Sequence, residues 1–271
     1  MILSLLAVVF IAFVVIKIVQ NSKTRKLLKP DWQPDTVYYF QYNRPNYAPN
    51  MSPYGIKIES YLRANNIKYE NVFITLERSS KGFVPFIELN GREYADTELI
   101  LYELQKAFNV KDVEDAERAG ALRGLMRTFD VDVFFIVVSF VSQLSNFEEI
   151  CGVVLTKPSF WSNLFAKYYK RRLSNRAKNS SIGGFSETER LQVLERNLIA
   201  AENVLGNRKY FGGNIFSVAD AAVYGQLAAV YLFPVPTPMS SFIKEKCPNL
   251  ERYVKDVTNT LFSDVVTVKT Q

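Results

Sequence analysis

The sequence predicts an α+β domain followed by an all-helical domain, with one transmembrane helix ahead of both. Three observations carry this reading. Between Thr36 and Asn109 the apolar pattern switches between strand-like runs and helical stripes in the order β-α-β-β-β-α. Beyond Asn109 it is wholly helical, to residue 262. Ahead of both, the run from Ile2 to Val19, "ILSLLAVVFIAFVVIKIV", is broken only by Ser4 and Lys17. The chain is therefore divided into an anchor over 1–20, a basic linker over 21–35, a mixed domain over 36–109, a helical domain over 110–262 and a tail over 263–271.

The apolar run, at about 1.5 Å per residue, makes about 27 Å, enough for the hydrocarbon core if Lys17 snorkels to the interface. A cleaved signal peptide is the rival, but no basic stretch precedes the run and no small-x-small cleavage pattern follows it. A buried core helix would carry a polar face, and this segment has none. Lys17, Lys23, Arg25, Lys26 and Lys29 lie at its C-terminal side. The positive-inside rule then sets the globular part in the cytosol, tethered to membrane lipid by a single pass.

Past the linker, the β-branched and aromatic run "TVYYFQY", Thr36 to Tyr42, reads as a buried first strand. After a loop rich in Pro and Asn, Ser52 and Pro53 have the chemistry of an N-cap and a first helical residue, and Ile56, Tyr61, Leu62 and Ile67 approximate the apolar stripe of the helix they open. "KYENVFIT" supplies a second strand. "FVPFIEL" and "GREYA" form a hairpin turning at Asn90-Gly91, and a helix opens at Asp96-Thr97. In the second domain, "DAERAGALRGLMRTFDVDVFFIVVSFVSQL" reads as one long helical stretch whose apolar block is too short to span a bilayer. Ser186 with Glu189, and Ser217 with Asp220, have capping-box spacing, which assigns Asp220 to structure rather than catalysis.

Composition narrows the chemistry. The 271 residues are 48% apolar, enough for a sizeable core. A net charge of +6 is accounted for in part by the basic flank of the anchor, so nucleic acid is not the partner it implies. With no histidine and only Cys151 and Cys247, zinc, iron-sulfur and haem sites of the usual spacing lack ligands, and no metal site is expected. The same absence removes Ser-His-Asp and Cys-His catalysis.

The mixed domain with "VP" before its third strand, joined to a helical domain carrying "FSVADAAVYGQLAAV", resembles the glutathione transferase superfamily. The first domain is then thioredoxin-like and the second like the glutathione transferase C-terminal domain. Within the superfamily, "SPYGIKIESYLRANNIKYE", "KGFVPFIELNGREYADTELI" and "SIGGFSETERLQVLERNL" are most similar to the failed axon connections and metaxin-like branch, and the chain as a whole resembles the cadmium-responsive proteins of nematodes. The resemblance implies a cis peptide bond at Val84-Pro85, whose backbone pairs with the cysteinyl part of glutathione. It also implies that Asp96 and Thr97 hold the γ-glutamyl carboxylate, where free amides and the helix dipole independently favour an anion. Lys81, just upstream, is a candidate for a peptide carboxylate, or a solvated loop lysine.

The resemblance also implies that Ser52 takes the position of the thiol or hydroxyl that acts on the glutathione sulfur. Thioredoxin-like redox proteins place Cys-Pro-x-Cys here, and Ser52 and Gly55 stand where the two thiols would be. A hydroxyl at a helix start lowers a thiol's pKa by donating to the thiolate, so Ser52 is the catalytic candidate; it also serves simply as a cap. Two functions follow. One is a membrane-anchored, glutathione transferase-like enzyme that conjugates electrophiles in stress or in cadmium or xenobiotic detoxification, with glutathione as co-substrate and a homodimer as its assembly. The other is a non-catalytic, metaxin-like scaffold or binding protein. One further stretch, Phe160 to Lys178, has aromatic residues at helical spacing and a cluster of Lys and Arg, which suits either an anionic lipid surface or a solvated basic face.

Overall fold

A computed structural model describes residues 26–45, 47–75, 77–144 and 160–266. The predicted anchor and Cys151 lie outside these residues, and among the described residues no helix is long and apolar enough to cross a membrane. The first half contains β1 (Val37–Gln41), α1 (Pro53–Ala64), β2 (Tyr69–Phe73), β3 (Phe86–Leu89), β4 (Arg92–Ala95) and α2 (Thr97–Phe108). The strands form one sheet in the order β2-β1-β3-β4. β1 runs parallel to β2 through the α1 crossover, and β3 is antiparallel to both β1 and β4. The turn at Asn90-Gly91 has positive φ at both residues, 49° and 78°, which is why Asn-Gly forms it so readily.

All five residues of β1 are buried because both faces of the sheet are covered. Val37, Tyr39, Ile87 and Leu89 face one way and join Ile56, Ile58, Tyr61 and Leu62 of α1 in the main core. Tyr38, Phe40, Phe86 and Ala95 alternate to the other face, as the two-residue period requires. There Phe40 and Phe86 stack with ring centroids 4.5 Å apart. This second face is closed by part of the stretch read as linker. The buried carboxylate of Glu88 accepts from the amides of Leu28 and Lys29 at 2.8 and 2.9 Å, and Trp32 packs on the same apolar cluster.

The second half begins with α3 (Ala116–Thr128), which runs through a π-helical turn (Phe129–Val133) into α4 (Phe134–Val141). It continues with α5 (Phe160–Lys178), α6 (Glu187–Leu205), α7 (Val218–Tyr231), α8 (Pro238–Lys246) and α9 (Pro248–Phe262). Both predicted capping boxes form, at the starts of α6 and α7, and a third, Thr237 with Ser240, opens α8. The α7 box has a wider role than its spacing implies. Asp220 is fully buried and also accepts from the amides of Phe211 and Gly212 and from the Tyr253 hydroxyl. α7 is buried along nearly its whole length and packs against α1, where Gly225 brings the two backbones together.

Candidate functional site

Four chain segments meet at one end of the sheet. β1 delivers the chain into the loop that ends at Ser52, and α1 starts there. β3 begins beside the end of β1, with Phe86 opposite Phe40, directly after Val84-Pro85, whose peptide bond is cis. β4 ends at Ala95, opposite Phe86, and hands over to Asp96 and α2. The register therefore gathers Ser52, Val84, Pro85, Asp96 and Thr97 at a common mouth. Lys81 joins them, its ammonium 3.5 Å from the Ala95 carbonyl oxygen.

Ser52 is the N-cap residue of α1 by backbone conformation, with φ −83° and ψ 121°, but its side chain makes no capping bond. This corrects the reading of Ser52 as a cap: its hydroxyl is not spent on the helix. Asn50 organises the turn instead. Its buried side chain accepts from the Ser52 amide at 2.8 Å and donates to Gln41 Oε1 at 2.7 Å. The same side chain fills the space over Gly55, where an added Cβ would lie 2.7 Å from Asn50 Cγ.

Behind this turn lies a buried polar network that anchors the loop. Glu59, fully buried on α1, accepts from Arg44 at 2.5 Å, Arg63 Nε at 3.1 Å and the Tyr69 hydroxyl at 2.8 Å. Arg44 in turn donates to the Pro49 carbonyl oxygen. A buried charge needs such company, since an unpaired carboxylate in this interior would be strongly disfavoured.

Asp96 adopts φ 82°, a left-handed conformation uncommon for a residue with a side chain, and strain of this kind concentrates at functional sites. Its carboxylate accepts from the amides of Glu98 and Leu99 at 3.0 and 3.5 Å. The amides that the sequence offers to a ligand carboxylate are thus already capped by Asp96 itself, because a tethered carboxylate outcompetes a free one for the helix start. Glu98 is clasped by Arg123 and Arg127 of α3. Against the raising effect of partial burial, their hydrogen bonds and charges hold its carboxyl below the ordinary value.

Local sequence gave no sign of the residues tying α1 to the helical half. Lys57 Nζ lies 2.5 Å from Asp130 Oδ2, both side chains buried, with Asp130 on the π-helical turn. Tyr54, two residues beyond Ser52, donates to the Asp130 carbonyl oxygen at 2.7 Å. Burial first, and then the charge of Asp130, raises the Tyr54 phenol above its ordinary range, so it is not the ionised group of the site. Asp130 thus presents both its carboxylate and its carbonyl to α1 from the π-helical turn, and such turns are frequent at functional sites. Among the described residues no cluster of acidic, thiol or imidazole groups could hold a metal.

Two family models match this chain: one described as the glutathione S-transferase N-terminal domain over residues 53–143, the other as the glutathione S-transferase C-terminal domain over residues 194–257. The chain is 26% identical to failed axon connections of Drosophila melanogaster over 254 residues, 87% of this chain and 60% of that protein. It is 32% identical to a metaxin-1 homolog of Caenorhabditis briggsae over 108 residues, 38% of this chain and 35% of that protein. It therefore spans less than two thirds of the length of these curated relatives. Among solved structures, a β-etherase from Sphingobium sp. strain SYK-6 superposes with a TM-score of 0.60 at 14% identity, covering 84% of this chain and 99% of that one. A glutathione S-transferase of Ceriporiopsis subvermispora, in complex with glutathione, superposes with a TM-score of 0.56 at 14% identity, covering 87% and 99%. At these identities the likeness concerns the fold.

Proposed function

Given that the chain belongs to the glutathione transferase superfamily, in the branch of failed axon connections and the metaxin-like proteins, we propose that it binds glutathione at the mouth formed by Ser52, Val84-Pro85 and Asp96-Thr97. The observation that carries this reading is the Ser52 hydroxyl, which makes no capping bond at the start of α1. Val84 offers its backbone to the cysteinyl part of the peptide, as an added strand would. Asp96, whose carboxylate already caps α2, suits the γ-glutamyl ammonium, leaving Thr97 for its carboxylate and Lys81 for the glycyl carboxylate. Ser52 donates to the thiolate and, with the positive end of α1, lowers the thiol's pKa. The thiolate then bonds to an electrophilic carbon as the leaving group departs.

The same reading makes the protein a single-pass membrane protein, anchored over Ile2 to Val19 with its globular part facing the cytosol; the apolar run, interrupted only by Ser4 and Lys17, and its basic flank support this. A homodimer is supported by the exposed Phe83, Leu99 and Tyr102 beside the site. A part in stress, cadmium or xenobiotic detoxification would run through glutathione, because two cysteines and no histidine are poor soft-metal ligands. The second reading, a non-catalytic metaxin-like scaffold, is favoured by one observation: the amides of Glu98 and Leu99 are already satisfied.

Calorimetric titration of the full chain with glutathione, paired with a conjugation assay on an aromatic electrophile, separates the two. Ser52→Ala should leave stability within about 0.5 kcal/mol of wild type, since no cap bond is lost, while conjugation falls. Ser52→Asp should add a cap worth about 1 kcal/mol and repel the thiolate. Binding without turnover would leave the scaffold reading standing, and turnover unchanged in both variants would refute the role of Ser52.

A further inference from the structure

The helix α5 carries six Lys or Arg and no Asp or Glu in its 19 residues. Ala166 and Ala177 are buried, and with Tyr169 and Leu173 they form the stripe that packs on Phe134, Val138 and Val141 of α4 and on Leu144. At about 100° per residue, Lys167, Tyr168, Arg171, Arg172, Arg176 and Lys178 fall on the remaining half of the circumference. All six are exposed, Tyr168 by 62%.

A solvated basic face normally pairs its cations with acids one turn away, as α9 does with Glu251–Lys255 and Arg252–Asp256. α5 has no acid to offer. Among the described residues none of Lys167, Arg171, Arg172, Arg176 and Lys178 lies within ion-pair distance of a carboxylate, whereas Arg44, Arg63, Arg123 and Arg127 all do. Five cations along about 16 Å of helix repel one another when no counter-charge separates them, and a surface of fixed negative charge relieves that repulsion.

We infer that this face of α5 docks on an anionic phospholipid surface, with its five cations among the headgroups and Tyr168 at the interface. The charge alone selects a polyanion. What favours lipid over nucleic acid is the apolar run from Ile2 to Val19, which, read as an anchor, keeps the face at high effective concentration beside a bilayer. The docking surface uses no residue of the mouth at Ser52, and the inference holds whether or not glutathione is used there.

The full chain is reconstituted into phosphatidylcholine vesicles with or without added phosphatidylserine, and lysine acetylation by a water-soluble active ester is read by mass spectrometry. Acetylation of Lys167 and Lys178 should slow at least about threefold when phosphatidylserine is present and recover in high salt, while the exposed Lys246 of α8 serves as the reference. Arg171→Gln/Arg172→Gln leaves both reporter lysines in place. A basic residue near an anionic leaflet is worth about 1 kcal/mol, so the double variant should lower the ratio of docked to free face about thirtyfold, with the thermal midpoint unchanged. Equal labelling on the two lipids, or protection that survives in the double variant, would overturn the proposal. So would protection by an RNA oligomer with none by phosphatidylserine; that result would assign the face to nucleic acid. Release of the chain from phosphatidylcholine vesicles by alkaline carbonate would refute the anchor alone, and salt-dependent protection on phosphatidylserine would then still support the face.

Discussion

Replacing Gly225 with alanine tests the contact that fastens the two halves of the molecule. A Cβ at this position would sit 2.5 Å from the Pro53 carbonyl oxygen, 3.1 Å from the Lys57 amide nitrogen and 3.2 Å from Lys57 Cβ. Non-bonded carbon contacts settle near about 3.5 Å, so α1 and α7 would have to part locally by most of an ångström. Little can give, because the obstacle is backbone and α1 is pinned by the Lys57–Asp130 pair and by the Tyr39 hydroxyl on the Gly55 carbonyl oxygen. Overpacking of this kind costs about 1 to 3 kcal/mol, here near the upper end. Alanine's better helix propensity offsets about 1 kcal/mol, leaving a net loss of about 2 kcal/mol. For a protein of this size that corresponds to a melting point lower by roughly 4 to 8 °C. Gly124→Ala is the matched control: nothing lies within 4 Å of its added Cβ, so propensity alone should stabilise the chain by about 0.5 to 1 kcal/mol. Thermal and urea unfolding followed by circular dichroism read both. A Gly225→Ala variant as stable as wild type would refute the close approach of α1 and α7.

Other perturbations probe the charges and the thiol. Lys57→Met should cost about 3 to 5 kcal/mol in urea unfolding, because Asp130 is left buried and unpaired, and adding Asp130→Asn should recover most of it. Glu98 has a carboxyl held below its ordinary value near 4.5, so the stability it confers is present above that value and lost as pH falls through the lower folded value. The stability gap between wild type and Glu98→Gln should accordingly be at most about 1 kcal/mol at neutral pH and close on acidification below that range; a gap independent of pH would count against the Arg123–Glu98–Arg127 clasp. Burial, aided by Glu202, pushes the Cys247 thiol up to about 11. In a Cys151→Ser background, iodoacetamide at pH 8 should therefore modify Cys247 only after denaturant is added, as read by mass spectrometry.

Much of the fold was legible because its signals are local. The order of elements along the chain, the Asn90-Gly91 turn and the two capping boxes each rest on local signals. Aromatic and β-branched residues at 36–42 announced a strand buried on both faces. The candidate site residues came through resemblance, which supplied Val84-Pro85 and Asp96-Thr97 together. What escaped were the polar groups that make the site what it is. Asn50 is an ordinary loop asparagine until the fold closes it over Gly55. Lys57 and Asp130 are 73 positions apart and carry no periodicity that links them. Glu59 falls on the buried face of α1 and reads from sequence as a mismatch, which Arg44, Arg63 and Tyr69 resolve only in three dimensions. Capping failed in the opposite sense: Ser52 sits where a cap belongs, and a neighbouring side chain, at a spacing that any loop can offer, took over the turn.

The contact between Asn50 and Gly55 makes a Cys-Pro-x-Cys pair hard to install here. A cysteine placed at position 55 would collide with an asparagine that is itself fixed by the Ser52 amide and by Gln41. Recovering a working pair therefore requires a third change, at Asn50, which unseats the turn and the end of the Glu59 network before any redox benefit exists. The chemistry open to the site therefore lies in what the one hydroxyl can do, and not in exchange between sulfurs.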